Sequence, residues 1–398
     1  MRSIHFPSIR CQSQSRPDSG SVQSLLIALL RALAALQVGA AHLRAEVFPG
    51  VSELADPPLG YQLLAFITAF SHPAVIVFFL ISGWLVGGSL LDRMGQPAAL
   101  RNYAIDRLTR LWTVLLPALC LMLVIGAVIG AVDATRADLS AANDYSIASF
   151  AGNLIGLQTV LVEPYGGNYA LWSLSNETWY YIQFPLLLLM FTGRNRIFQL
   201  ACAAALILLG SALPFPIVLY FLLWLLGAVF SRLRIDCGNG LRALLVVATL
   251  GLMVVFRLFG TVDDLKPASF VQHLAYSLPL LALLASLHLS VSLRTLPMRM
   301  LARSAHVLSE FSFTFYVMHI PLIVLLRHFG MHELGRARLS PFVATDYALY
   351  FGMLLAITLL SYLSYLLFES RTFRIRSALK AAIQAHPRAN ATVSAASK

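Results

Sequence analysis

Charge is scarce in this chain. Only 12% of its 398 residues are Asp, Glu, Lys or Arg, where soluble domains carry about 25%. With 58% hydrophobic residues and a mean hydropathy of +0.75, this excludes an ordinary soluble domain and specifies a polytopic membrane protein. Cysteine is nearly as rare. Cys11, Cys120, Cys202 and Cys237 show neither metal-ligand nor redox spacing, and none falls in an expected outer loop. That argues against a disulfide framework, and no metal site is expected. Soluble-enzyme signatures are missing as well: no phosphate-binding loop, dinucleotide fingerprint, His-Glu-x-x-His or Gly-x-Ser-x-Gly occurs. No internal repeat supports an inverted-repeat transporter.

What is present is a series of apolar segments. They read as spans near residues 24–42, 63–90, 111–132, 171–191, 198–212, 214–231, 242–259, 269–290, 309–328 and 346–368. At ~20 residues per span, about ten transmembrane helices use nearly the whole chain, so the expected fold is an all-α membrane bundle over residues 23–376. The Ser/Gln/Arg-rich residues 1–22 read as a disordered cytoplasmic segment, and residues 377–398 as a cytoplasmic tail. Arg31 interrupts the first apolar run, which therefore reads as a span and not as a cleaved leader.

The formal charge of +11 invites a nucleic-acid partner, but its distribution does not. Arg93, Arg101, Arg107 and Arg110 follow the second span, Arg194 and Arg196 the fourth, and Arg232, Arg234 and Arg242 the sixth. Arg294, Arg299 and Arg303 follow the eighth, and Arg371, Arg374, Arg376 and Lys380 the tenth. Basic residues on alternate loops mark the cytoplasmic side, which puts both termini there. The basicity reports topology, so membrane lipid and not nucleic acid is the expected surroundings. The longest outer connection, 133–170, holds Asp133, Asp138, Asp144 and Glu163 against Arg136, and long loops in compact folds tend to be functional.

Ionisable residues inside the spans cost ~2.5–3.5 kcal/mol each on insertion scales, so they mark sites. Arg31 and His42 lie eleven positions apart, which places them on one helix stripe roughly 16 Å apart in depth. Such a pair suits chemistry whose substrates arrive from opposite faces of a bilayer. Arg107 and Arg110 share a helix face at the inner mouth of the third span, where forked donors match phosphate; simple positive-inside anchoring explains them equally. In Trp172-Ser173-Leu174-Ser175-Asn176-Glu177, the carboxylate of Glu177 sits about two turns deep and needs a partner. His42 is expected at comparable depth, where a carboxylate would fix the imidazole tautomer. Ser82, in a Ser-Gly pair of the second span, reads either as helix packing or as a tunnel wall. Tyr316 and His319 share a face of the ninth span. The charges alone leave open a transporter that uses Arg31, Glu177 and His319 as a substrate or proton relay.

Taken in order, these motifs resemble acyltransferase family 3, the membrane proteins that include O-antigen and exopolysaccharide O-acetyltransferases. The matching pieces are Arg31 with His42, Phe78-Phe79-Leu80-Ile81-Ser82-Gly83, Arg107-x-x-Arg110 ahead of Pro117, and Trp172 to Glu177. Tyr316-x-x-His319-x-Pro321 and Phe368-Glu369 complete the series. The likeness covers about residues 24–375. Asn176 stands where an aliphatic residue is typical, and Ser370-Arg371 where a proline commonly follows.

The resemblance implies a bacterial inner-membrane enzyme with no permanently bound cofactor. It would take an acyl group, acetyl first among them, from cytoplasmic acyl-coenzyme A. The acceptor would be a hydroxyl of a carbohydrate or small molecule at the far side. His42, Arg31 and Glu177 are then the expected catalytic residues, with Glu177 orienting His42 as general base. Ser82, Arg107, Arg110, Trp172, Ser173, Tyr316 and His319 are expected to line the donor and substrate path. Arg31 and His42 are expected to share one passage crossing the bilayer.

Overall fold

The computed structural model describes residues 8–12, 14–18, 20–132, 144–261, 265–291, 295–336 and 338–383. Asp133, Arg136 and Asp138 of the long acidic loop, and the tail beyond residue 383, lie outside the described residues. The fold is a helical membrane bundle. Its first four helical segments are α1 (Val22–Val47), α2 (Leu59–Ile67), α3 (Ser71–Ser82) and α4 (Gly88–Leu91). Next come α5 (Ala99–Val128), α6 (Ile147–Leu154), α7 (Trp172–Thr192), α8 (Arg196–Ala212) and α9 (Phe215–Phe230). The chain continues through α10 (Asn239–Phe259), α11 (Pro267–Ser286), α12 (Leu296–Glu310), α13 (Ser312–Leu334) and α14 (Ala344–Leu367). Among the described residues seven helical stretches are long and apolar enough to cross a membrane. The other three expected positions are helical too: α8 and α9 are short, with 17 and 16 residues, and α7 carries its polar Ser173–Glu177 face.

Local chemistry sets the ends. Ser21 caps α1 by accepting from the Ser24 amide, and Asn195 caps α8 through the Phe198 amide. Proline in the first turn opens α9, α11 and α12. The second span is helical over Leu59–Leu91, with a short break at Thr68 to Phe70 between α2 and α3.

α1 is the hub, packing against α3, α11, α12, α13 and α14. α10 rests mainly on α11 and leaves Val247, Leu258 and Phe259 exposed, as a lipid-facing helix should. Two close approaches hold the centre. A π-turn over Gly83–Gly87 links α3 to α4 and lies against α9, where a Cβ on Gly83 would strike the Trp224 carbonyl. Reciprocally, a Cβ on Gly227 would strike the Leu80 carbonyl. Between α1 and α13, a Cβ on Gly39 would sit 2.5 Å from the Phe315 ring. In lipid, where burial of apolar surface drives no helix pairing, such small-residue contacts let helices associate.

The N-terminal segment expected to be disordered is partly ordered. β1 (Ser8–Cys11) pairs antiparallel with β2 (Leu233–Asp236), which follows α9. A two-stranded ribbon is marginal alone; here Gln12 donates to Ser231 O at 2.9 Å, and Ser15 Oγ donates to Asp92 at 2.7 Å.

Gly83→Val is expected to destabilise the bundle by about 1–3 kcal/mol or more through overpacking against backbone. Gly251→Ala, on open surface, is expected to have no such effect. Thermal inactivation midpoints in detergent check the pair, and equal midpoints would refute the packing argument.

Candidate functional site

One end of the bundle is strongly basic, and a cavity of about 760 Å³ opens there, a size typical of small-molecule and cofactor sites. Its mouth carries Arg93, Arg107, Arg110 and Arg376. Its wall then follows the α7 face Ser173, Glu177 and Tyr181, with Ser82 and Arg31 opposite, and it reaches Tyr316. The i, i+4 spacing of the α7 residues puts all three on one face.

Arg107 and Arg110 sit one turn apart on α5. The Arg107 guanidinium lies 5.8 Å from the Tyr181 ring centroid, and that of Arg110 lies 5.9 Å from Phe313. Arg110 also approaches Glu369 at 4.0 Å. Glu369 also accepts from Thr314 Oγ1 at 2.6 Å. Arg31 donates to Ser312 Oγ at 3.1 Å.

Glu177 departs from expectation. It accepts from Ser82 Oγ and, at 2.5 Å, from Tyr181 OH; Ser82 in turn accepts from Trp224 Nε1 at 3.1 Å. It therefore does not orient His42. The cause lies in the loop before α7, which folds into the bundle. Tyr165, Asn168, Ala170 and Leu171 are buried. Asn168 donates to Val317 O, Gln158 to Leu171 O, and Asn153 to Ser149 O and Glu163 O. Non-helical backbone is tolerated at such depth only when buried in protein and internally bonded. Glu177 thus lies on the cavity wall, where His42 does not.

His42 finds a different partner. Its Nδ1 lies 2.8 Å from His319 Nε2, and His319 Nδ1 lies 2.6 Å from the Tyr316 carbonyl. A carbonyl only accepts, so His319 Nδ1–H donates to it. The neutral His319 Nε2 then accepts from His42 Nδ1–H. That leaves Nε2 of His42 as the unprotonated nitrogen, the form a general base or nucleophile needs. The Gly39–Phe315 contact lies one turn away on both helices and sets the spacing for this pair. Tyr169 completes the surroundings, edge-on to His42 at 5.1 Å.

The two constellations meet but do not merge. Neither His42 nor His319 is on the cavity wall. Tyr316 stands between, its hydroxyl donating to Ala170 O at 2.9 Å and bonded to Ser173 Oγ at 2.6 Å. Its ring lies 5.7 Å from that of His319. The single open passage expected for Arg31 and His42 is thus closed by a Tyr316–Ser173 partition. Trp172 is also off the wall, packed edge-on against His72 and Phe79. Sequence reasoning missed Tyr181, although its i+4 position from Glu177 was the available signal. It also missed the pairing of His319 with His42, for which spacing within one helix gives no cue.

No curated protein and no solved structure matches the chain. The family model of the acyltransferase domain matches residues 26–366, most of its length. The chain is a helical membrane bundle and belongs to acyltransferase family 3.

Proposed function

We propose that this membrane acyltransferase moves an acyl group, acetyl first among candidates, from acyl-coenzyme A to a hydroxyl of a carbohydrate or related acceptor. The donor enters from the cytoplasm and the acceptor from the opposite side. The observation that carries the reading is the division at Tyr316: a basic cavity on one side, an oriented imidazole pair on the other. The gathering of Arg93, Arg107, Arg232 and Arg376 at the cavity end supports a cytoplasmic mouth, in a bacterial inner membrane, with both termini on that side.

In this reading the phosphates of the donor lie against Arg107 and Arg110, whose forked donors suit them. The pantetheine arm rises past Ser82, Tyr181 and Arg31. Glu177 holds the Ser82 and Tyr181 hydroxyls in place, which makes it a donor-site residue and not the partner of the base. The Tyr316–Ser173 partition opens to admit the thioester carbonyl.

His42 Nε2 then takes the proton of the acceptor hydroxyl, and the oxygen attacks the thioester carbon. As the tetrahedral intermediate collapses, the C–S bond breaks and the sulfur receives the proton held by His42. Products are the ester and free coenzyme thiol. Arg31, always charged, steadies the pantetheine arm on the cavity side, where it is bonded to Ser312. If Nε2 attacks first, the same nitrogen carries a transient acyl group.

Membranes holding the protein are expected to transfer radiolabel from acetyl-coenzyme A to a glycan or small alcohol. His42→Ala should lower that transfer by about 10²-fold or more, the usual contribution of a general base. Full transfer by a correctly inserted His42→Ala protein would refute the assignment.

His319→Ala should lower kcat by roughly 10²-fold through misplacement of the imidazole, with KM for acetyl-coenzyme A unchanged. A change confined to KM would instead place His319 in donor binding.

A further inference from the structure

The family match ends at residue 366 and begins at residue 26, yet chain from beyond both limits reaches the cavity. Arg16 and Arg376 are on its wall. Each is brought there by a specific tether. On the N-terminal side, Ser15 is buried, with its amide and hydroxyl both donating to Asp92, which is paired with Arg232 at 3.0 Å. The β1–β2 ribbon and Gln12 fix the segment before it. On the C-terminal side, the helical residues 372–383 dock through Asp106, which meets Arg93 at 3.1 Å, Arg376 at 3.3 Å and Lys380 at 2.5 Å.

Both acidic groups at the mouth are therefore already engaged by cations. Arg16 and Arg107, also on the wall, have no ion-pair partner among the described residues. The Nε atoms of Arg107 and Arg376 are buried and make no hydrogen bond among the described residues. For Arg376 the approach to Asp106 is an ion pair that lacks hydrogen-bond alignment. Two guanidinium groups with no carboxylate of their own, beside an Arg376 that shares Asp106 with Arg93 and Lys380, suit an acceptor-rich occupant of the cavity.

We propose that Arg376 and Arg16 are anion-binding residues that extend the donor cavity beyond the family's matched span, and that they engage the phosphorylated nucleotide end of the donor. This rests on the reading of the donor as acyl-coenzyme A. Their role is selectivity for that end. The acyl and pantetheine portions lie deeper, against residues of the matched span.

The test uses the full-length protein in detergent or proteoliposomes. Arg376→Gln and Arg16→Gln are expected to raise KM for acetyl-coenzyme A about tenfold, the scale of one charge-assisted hydrogen bond at a partly exposed site, with kcat unchanged. KM for acetyl-pantetheine, which lacks the nucleotide, should stay at the wild-type value. Arg374→Gln removes an equal charge from the same helix at an exposed position off the cavity wall and outside the Asp106 cluster, so it should leave both constants unchanged.

Binding of adenosine 3′,5′-bisphosphate by titration gives a second readout independent of transfer. It should weaken by a similar factor in Arg376→Gln and Arg16→Gln and not in Arg374→Gln. Unchanged nucleotide binding in Arg376→Gln and Arg16→Gln would overturn the proposal. So would an equal rise in KM for acetyl-pantetheine, which would mark general distortion. If nucleotide binding weakens as expected but no label leaves acetyl-coenzyme A in the wild type, the donor reading fails and the anion site stands.

Discussion

The contact of α1 with α13 at Gly39 governs the chemistry. Because Gly39 has no Cβ, the Phe315 ring can lie against the α1 backbone, and the two helices approach more closely than larger side chains would permit. One turn further along, the same spacing puts His42 Nδ1 at 2.8 Å from His319 Nε2. The Tyr316 carbonyl then selects which nitrogen of His319 carries hydrogen. A helix carbonyl left without a partner near a proline is usually a liability. Here Pro321 supplies no amide to the Val317 carbonyl four residues earlier, and Asn168 donates to it instead, while the adjacent Tyr316 carbonyl serves His319. The unprotonated nitrogen of His42 is thus fixed by backbone geometry and not by a charge.

A second constraint is that backbone within a bilayer must be bonded inside the protein. The buried loop ahead of α7 meets it with Asn153, Gln158 and Asn168, each donating to a main-chain carbonyl. Its reward is position: Tyr169 and Ala170 reach the imidazole pair and the Tyr316 hydroxyl, while α7 begins deep enough to give Glu177 to the cavity.

Much of this was legible in the sequence, and for identifiable reasons. Apolar run lengths located the spans, because crossing hydrocarbon fixes helix length. The eleven-residue interval aligned Arg31 with His42, because a single helix carries both. Arg107 and Arg110 read as sharing one face at the inner end of the third span for the same reason. What was not legible depends on how separate helices meet. Glu177 was assigned to His42 by counting depth from the start of α7, but that start is set by a buried loop whose bonds run to α13. The ordered β1 strand escaped notice because its partner lies more than two hundred residues away and its stability comes from Asp92 and Ser231. The π-turn after Ser82 follows from the Gly83–Gly227 approach, which two isolated glycines do not announce.

The placement of charge follows an electrostatic logic. Every carboxylate near the cavity has a nearby cation or hydroxyl donors: Asp106 has Arg93, Arg376 and Lys380, Asp92 has Arg232, and Glu177 has Ser82 and Tyr181. Beyond Tyr316 the groups are imidazoles, hydroxyls and carbonyls. A carboxylate beside His42 would need desolvation of a permanent charge, and a buried ion pair recovers that cost only with excellent geometry. An imidazole partner avoids it: the pair hydrogen-bonded to a carbonyl is neutral, and under the proposed mechanism positive charge appears only while His42 holds a proton, with the Tyr316 carbonyl able to stabilise it through His319. Permanent charge recurs on α1 just past His42, in Arg44 and in Glu46 with its partner Arg327, but the Tyr316 carbonyl and the Tyr169 ring that touch the imidazole pair are neutral.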